Sequence, residues 1–104
     1  MQRFIDLMKT FNRPIFCTEY LARPFGSTFE TVMPVLKKEK VAAYDFGLVK
    51  GAMQCHYEWN KVDADGNKIP FTEEPDLWFH DILYPDGTPY NVSEVGFIKS
   101  ITKK

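Results

Sequence analysis

The carboxylate with the clearest chemical context in this sequence is Glu19, which closely follows a short apolar run. Ile15, Phe16 and Cys17 follow Pro14 without a polar residue between them. Such a run predicts a strand buried on both faces, as in parallel sheets covered by helices. In barrels of parallel strands, a carboxylate at the carboxyl end of a strand is placed for catalysis. Glu19 is therefore the candidate catalytic residue.

A structural role for Glu19 is the alternative, because a carboxylate at a strand end often caps a helix or joins an ion pair. Arg23, four residues on, is a plausible ion partner. Aromatic residues favour the chemical interpretation. Aromatic faces stack on sugar rings, and a carboxylate among them suits an anomeric carbon on which positive charge develops. The aromatic residues expected near the same sheet end are Tyr20, Tyr44, Phe46, Trp59 and Trp78.

The elements that would position Glu19 follow an α/β order. Because a helix connects the two predicted strands, the strands should be parallel. The long segment 50–75 is irregular and should be functional or disordered. The predicted elements are a helix over 2–11, a strand over 14–19, a helix over 28–39, a strand over 41–47 and a helix over 92–101.

Local signals add detail to the helices. Phe4, Leu7, Met8 and Phe11 fall at helical spacing, which predicts that this face of the first helix packs on other elements. Ser27 and Glu30 have the spacing of a capping box for the second helix, and Pro34 should bend or break that helix. Asn91 is the expected cap of the last helix, whose inward residues would be Val95, Ile98 and Ile101.

Size and charge exclude several classes of function. The 104 residues suffice for one small domain, and the net charge of −1 argues against nucleic acid or an anionic membrane as partner. No apolar run approaches the roughly 18 residues of a membrane span. Asp6 and Lys9 interrupt any signal-peptide core, and the amphipathic start suggests a chain that begins inside an element of something larger.

Neither a metal nor a cofactor is expected. Cys17 and Cys55 are not part of a CxxC pair and should be free thiols. His56 and His80 lack partners at metal-ligand spacing, so we assign them structural roles, with His80 and Asp81 as a hydrogen-bonded pair fixing the last helix. Residues 63–74 have the length of a calcium loop, but position 6 of that loop is lysine instead of glycine and a proline follows, so a turn is preferred.

Taken as a set, five segments resemble the carboxyl-terminal quarter of clan A glycoside hydrolases, which are retaining (β/α)8-barrel (TIM barrel) enzymes acting on β-linked sugars. Cellulase-like and xylanase-like enzymes are among them. The likeness covers nearly the whole chain, and it is specific as a set although no single segment is. The segments are Phe16-Cys17-Thr18-Glu19-Tyr20, Gly26-Ser27-Thr28, Ala43-Tyr44-Asp45-Phe46-Gly47-Leu48-Val49, Trp78-Phe79-His80-Asp81-Ile82 and Asp86-Gly87-Thr88-Pro89-Tyr90.

The resemblance implies a partial barrel, with strands like the seventh and eighth. Glu19 matches the nucleophile that ends the seventh strand, and Phe46 matches the aromatic residue under the reacting sugar. The further substrate contacts would be Tyr20, Trp59, Arg23 and Gln54. Two departures weaken sugar binding. Asp45-Phe46-Gly47 stands where relatives look like Asn-Trp-Gly, and residues 51–54 read Gly-Ala-Met-Gln where relatives often carry Gly-Lys-Thr-Gln.

The family's acid/base glutamate ends a fourth strand, and no comparable strand-end glutamate accompanies Glu19. A retaining enzyme needs two carboxyl groups about 5–5.5 Å apart. We therefore expect no turnover by the isolated chain. The expected partners are a carbohydrate and either further copies of the chain, since open strand edges are sticky, or the missing amino-terminal part of a barrel. The alternatives are a non-catalytic carbohydrate-binding or assembly module and a truncated remnant; localisation is left open.

Overall fold

Two short strands from the first half of the chain pair in parallel. A computed structural model describes residues 1–71 and 73–103. Its elements are α1 (Gln2–Lys9), β1 (Phe16–Cys17), a single 3-10 turn (Arg23–Phe25), α2 (Phe29–Lys38), β2 (Ala42–Ala43) and α3 (Val92–Thr102). Phe16 lies opposite Ala42, and Cys17 opposite Ala43. This is the parallel arrangement expected of strands joined by a helical crossover.

The strands are shorter than the predicted 14–19 and 41–47, and β1 is not buried on both faces. Two backbone bonds frame the pairing, from Ala42 N to the Ile15 carbonyl and from Tyr44 N to the Cys17 carbonyl. Ile15 and Cys17 pack against the core, whereas Phe16 is 60% exposed and stacks on the exposed ring of Tyr44. No other element within residues 1–71 and 73–103 covers that face, which explains the exposure of Phe16.

Helix α2 contributes the largest share of the hydrophobic core. Its Phe29, Val32 and Leu36 are buried at helical spacing. The capping residue is Thr28 and not Ser27: its hydroxyl accepts from the Thr31 amide, and the Thr31 hydroxyl accepts in return from the Thr28 amide. The hydrogen bond back to the capping residue, expected from Glu30, is therefore made by Thr31, one residue later.

The predicted break of α2 at its proline does not occur. The helix continues through Pro34 to Lys38. Pro34 removes one backbone donor from the helix. The Thr28 cap before it and the burial of Leu36 after it hold the helix on both sides.

The first helix presents the opposite face to the one that periodicity suggested. Ile5 is its buried residue, and two side chains of α1, Gln2 and Lys9, contact Glu39 at the end of α2. The expected inner face is exposed to between 47% and 74%, namely Phe4, Leu7, Met8 and Phe11. The prediction that this face packs on other elements therefore fails within the described residues.

The described residues between 44 and 90 contain no strand longer than an isolated bridge, but backbone bonds tie them together. The amides of Phe79 and His80 donate to the carbonyls of His56 and Cys55. Trp78, 2% exposed, stacks on Tyr90 with ring centroids 4.5 Å apart. These contacts form a second, aromatic cluster beside the core of α2.

Residues 61–69 form the predicted turn. Asp63 Oδ1 accepts from the amides of Asp65 and Asn67, while Val62 bridges Lys68 in antiparallel fashion. No group of side chains within residues 1–71 and 73–103 could hold a metal ion. In the same residues, no helix has the length and apolar character needed to cross a bilayer.

Candidate active-site cleft

An open cleft of about 560 Å³ lies at the carboxyl end of β1 and β2. Glu19 follows β1 and Phe46 follows β2, so the parallel pairing brings both residues to the same end of the sheet. The loop 57–60 and residues 79–80 supply the other walls. The cleft is lined by Glu19, Phe25, Phe46, Tyr57, Glu58, Trp59, Asn60, Phe79 and His80.

The Glu19 carboxylate is accessible and has one close polar neighbour. Its side chain is 56% exposed, and Oε1 lies 3.2 Å from Nε2 of His80. His80 is buried, and this burial lowers its pKa, although the Glu19 carboxylate acts in the opposite direction. The nearby charge of a carboxylate favours the protonated ring, but desolvation outweighs it. The pair places an open carboxylate beside a histidine that is neutral at pH 7.

Aromatic rings surround this carboxylate. Phe46 packs edge-on against both Trp59 and His80, with ring centroids 6.2 and 5.5 Å away. Trp59 remains 45% exposed, and its indole Nε1 donates to the backbone carbonyl of Gln54 at 2.9 Å. Phe25 and Phe79 form a further edge-on pair in the opposite wall. A ring-shaped ligand with an apolar face and with hydroxyl groups at its edge would pack on such walls.

Three of the residues proposed to contact substrate lie outside the cleft lining. Tyr20 is buried against Phe29, and burial raises its pKa to about 12. Gln54 lines a separate shallow hollow that shares Trp59 with the cleft. Arg23 is buried beneath the site and pairs with Glu94 instead of Glu19.

Arg23 instead joins α3 to the segment that carries His80. Its guanidinium donates to both carboxylate oxygens of Glu94 at 2.8 Å, and to the backbone carbonyls of Trp78, His80 and Asp81. A planar fork with five donors suits this arrangement. The last helix is thus fixed by Arg23 and Glu94, and not by the His80–Asp81 pair that the sequence suggested.

Two buried acids lie behind the cleft. Both carboxylate oxygens of Asp45 are buried without a hydrogen-bond partner, and burial raises the pKa of Asp45 to about 6. Asp81 is 1% exposed, and burial raises its pKa as well; its Oδ2 lies 3.6 Å from Nδ1 of His56. Neither acid lines the cleft. We therefore expect their protonation to affect the stability of the fold.

Replacing Asp45 by asparagine is expected to stabilise the protein at pH 7 to 8 by roughly 1 to 2 kcal/mol. The folded-state pKa of Asp45 lies above its ordinary value, so ionisation costs stability. That cost is absent below about pH 4, grows up to pH 6 and is complete above it. One pKa unit corresponds to about 1.4 kcal/mol, and the effect is reduced here because Asp45 as a whole residue is only partly buried. Urea unfolding of wild type and D45N at pH 4, 6 and 8 measures the difference.

The control for Asp45 is D65N, which changes an exposed carboxylate in the turn. Because Asp65 is exposed, its replacement should change the free energy of unfolding by less than about 0.5 kcal/mol. A stability gain in D45N that is equally large at pH 4 and pH 8 would contradict the assignment.

The sequence analysis assigned His80 a structural role, but His80 lines the cleft, as does Glu58. Trp78 and Tyr44 do not join the cleft: Trp78 is buried in the aromatic cluster, and Tyr44 stacks on Phe16. No local pattern marks His80, since 61 positions separate it from Glu19. A search of protein-family models, curated proteins and solved structures finds no significant match to this chain.

Proposed function

We propose that this chain is the nucleophile-bearing end of a retaining β-glycoside hydrolase, with Glu19 as the nucleophile. The observation that carries the proposal is the exposed Glu19 carboxylate at the carboxyl end of β1, within an open cleft walled by aromatic rings. The segments that resemble clan A glycoside hydrolases include this carboxylate and Phe46. Carbohydrate is the substrate class that suits both features.

The cleft supports the two demands of glycosyl transfer. A nucleophile must reach the anomeric carbon, and Glu19 is open to solvent. The sugar ring needs an apolar platform, which Phe46 and Trp59 provide without closing the cleft. In the first half-reaction, a Glu19 oxygen bonds to the anomeric carbon while the bond to the leaving-group oxygen breaks. That oxygen takes a proton from an acid, and water later releases the sugar with return of the proton.

The isolated chain is proposed to lack turnover because it lacks a suitable acid. Glu58 lines the cleft, but it lies in a loop and not at a strand end. In the resemblance, the acid/base glutamate belongs to a fourth strand. Retaining catalysis requires the two carboxyl groups to be held about 5–5.5 Å apart, as two strand-end carboxylates are.

The exposed apolar face of α1 and the open edges of the short sheet support the binding of another polypeptide here. Phe4 and Leu7 on α1, Phe11 just after it and Phe16 on β1 are each more than half exposed. Contiguous apolar surface and unpaired strand edges favour association. We propose that the missing strands of a barrel, or further copies of this chain, cover this face.

An activated sugar tests the nucleophile separately from the acid. A 2-deoxy-2-fluoro β-xyloside or β-glucoside with a dinitrophenyl leaving group needs no proton donor, because the phenolate leaves unassisted. We expect mass spectrometry to find one fluoroglycosyl group on Glu19. Ordinary aryl β-glycosides should show no hydrolysis.

The E19Q variant should lose the label, whereas the matched cleft variant E58Q should keep it. Label on a different residue, or none in wild type, would contradict the nucleophile. Hydrolysis of an ordinary aryl glycoside that disappears in E19Q would contradict the proposed lack of turnover.

A carbohydrate-binding module is the second candidate, favoured by the exposed Trp59 between the cleft and the neighbouring hollow. A binder needs the aromatic platform but not Glu19. Under this alternative, xylo- or cello-oligosaccharides would change Trp59 fluorescence in wild type and E19Q alike, and the activated sugar would leave Glu19 unlabelled. Trp78, buried in the aromatic cluster, would keep its emission.

A further inference from the structure

We propose that His80 is a positioning residue that orients the Glu19 carboxylate through its Nε2. This inference rests on the proposed function, because it assigns a partner to the proposed nucleophile. Glu19 has no other polar side chain at ion-pair distance within the described residues. An exposed carboxylate needs such a contact to keep one orientation. Its orientation matters because a nucleophile reacts only when it is correctly placed against the carbon that it attacks.

The distance and the relative burial of the two side chains suit this role. Nε2 of His80 lies 3.2 Å from Oε1 of Glu19, within ion-pair distance. The His80 side chain is 9% exposed and the Glu19 side chain 56%. The histidine is therefore the fixed partner, and the carboxylate is the group that it orders.

His80 is fixed through its backbone and its ring. Its amide donates to the Cys55 carbonyl at 3.0 Å, and its carbonyl accepts from the buried Arg23 guanidinium. Phe46 and Phe79 pack edge-on against the imidazole, with centroids 5.5 and 4.5 Å away. The two backbone bonds fix the position of residue 80, and the two aromatic neighbours restrict rotation of the ring away from Glu19.

The protonation of the ring follows from its surroundings. Burial lowers the pKa of His80, and the cation of Arg23 acts in the same direction. Glu19, Asp81 and the backbone carbonyl of Leu21 favour the charged ring. Nδ1 is nevertheless buried without a partner of hydrogen-bond geometry. Because Nε2 faces the Glu19 carboxylate oxygen at 3.2 Å, the neutral ring should carry its proton on Nε2.

Nitrogen-15 NMR of the histidine rings in the full chain tests the contact without any activity. The chain has two histidines, so His56 serves as the internal reference. We expect the neutral His80 ring to be protonated at Nε2. In E19Q the titration midpoint of His80 should fall by about 0.5 to 1 pH unit, because a nearby opposite charge is lost. Glu19 is exposed, so this variant should fold.

The matched control is E58Q, which removes a carboxylate from the same cleft and should leave the His80 midpoint unchanged. An unchanged midpoint in E19Q, an equal fall in E58Q, or a neutral ring protonated at Nδ1 would each overturn the proposal.

A second measurement separates positioning from the proposed function. In H80Q, whose amide can still donate, labelling of Glu19 by the activated fluoroglycoside should stay within about threefold of wild type. In H80L it should slow tenfold or more, with circular dichroism confirming the fold. Equal labelling rates in wild type and H80L would refute positioning while leaving the nucleophile intact. An unlabelled wild type with the His80 shift present would refute the nucleophile alone.

Discussion

Replacing Arg23 by methionine is expected to lower the free energy of unfolding by about 3 to 5 kcal/mol, the cost of breaking a buried ion pair on one side. Glu94, with its side chain 6% exposed, would be left buried without its cation. The carbonyls of Trp78, His80 and Asp81 would each lose a donor. Total stabilities of small domains are about 5 to 15 kcal/mol, so much of the fold depends on this side chain. Urea unfolding followed by circular dichroism measures the loss.

Two further variants identify the cause of the loss. E74Q breaks the Lys50–Glu74 pair, in which Glu74 is 48% exposed, and should cost less than about 1 kcal/mol. R23K keeps the charge but not the planar fork, and should fall between wild type and R23M. A loss in R23M no larger than that in E74Q would show that Arg23 does not hold α3 against residues 78–81.

The helices could be predicted because their signals are local. The bounds of α2 differ by one residue at each end from the predicted 28–39, and α3 extends one residue beyond 92–101. Asn91 caps α3 as expected, accepting from the amides of Ser93 and Glu94. Capping residues and apolar spacing act within one or two turns, so a single sequence contains them.

The direction of the helix faces could not be predicted in the same way. Periodicity reveals that α1 has an apolar stripe, but not which surface the stripe meets. In the structure Ile5 turns inward and Phe4, Leu7, Met8 and Phe11 turn outward. The sequence also could not show which side of β1 is covered. A strand buried on both faces would bury Phe16, but Phe16 is exposed and stacks on Tyr44.

In the candidate site too, some residues could be predicted from local sequence signals and others could not. Glu19 and Phe46 follow the two strands, so parallel pairing alone predicts that they share an edge of the sheet. His80 and the Arg23–Glu94 pair depend on contacts across 61 and 71 positions of the chain. Arg23 therefore suggested a surface partner for Glu19 four residues away, whereas the folded chain buries it and gives it Glu94.

Replacing Gly47 by alanine should destabilise the protein by roughly 3 kcal/mol or more. Gly47 has a φ of +96°, a conformation that costs an L-residue about 1 to 2 kcal/mol. An added Cβ would lie 2.6 Å from Oδ1 of Asp81 and 3.0 Å from Cβ of Cys55. Both neighbours are buried, so overpacking adds about 1 to 3 kcal/mol. Thermal and urea unfolding measure the total.

Gly66 provides the matched control, because it shares the backbone strain without the crowding. Its φ is +82°, and no atom lies within 4 Å of the position that a Cβ would take. G66A should therefore cost only the conformational 1 to 2 kcal/mol. Equal losses in G47A and G66A would mean that Asp81 does not press against residue 47.

The crowding at Gly47 also links stability to the cleft. Gly47 directly follows Phe46, and Asp81 directly follows His80, so a Cβ between them would separate the two cleft residues. The double variant G47A/D81A removes the carboxyl that the Cβ meets, and its loss should be smaller than the sum of the two single losses. The His80 titration, which depends on the ring's burial beside Phe46, should shift in G47A and remain as in wild type in G66A. Strictly additive losses would mean that the Asp81 carboxyl adds nothing to the cost of G47A, and they would remove this link to the cleft.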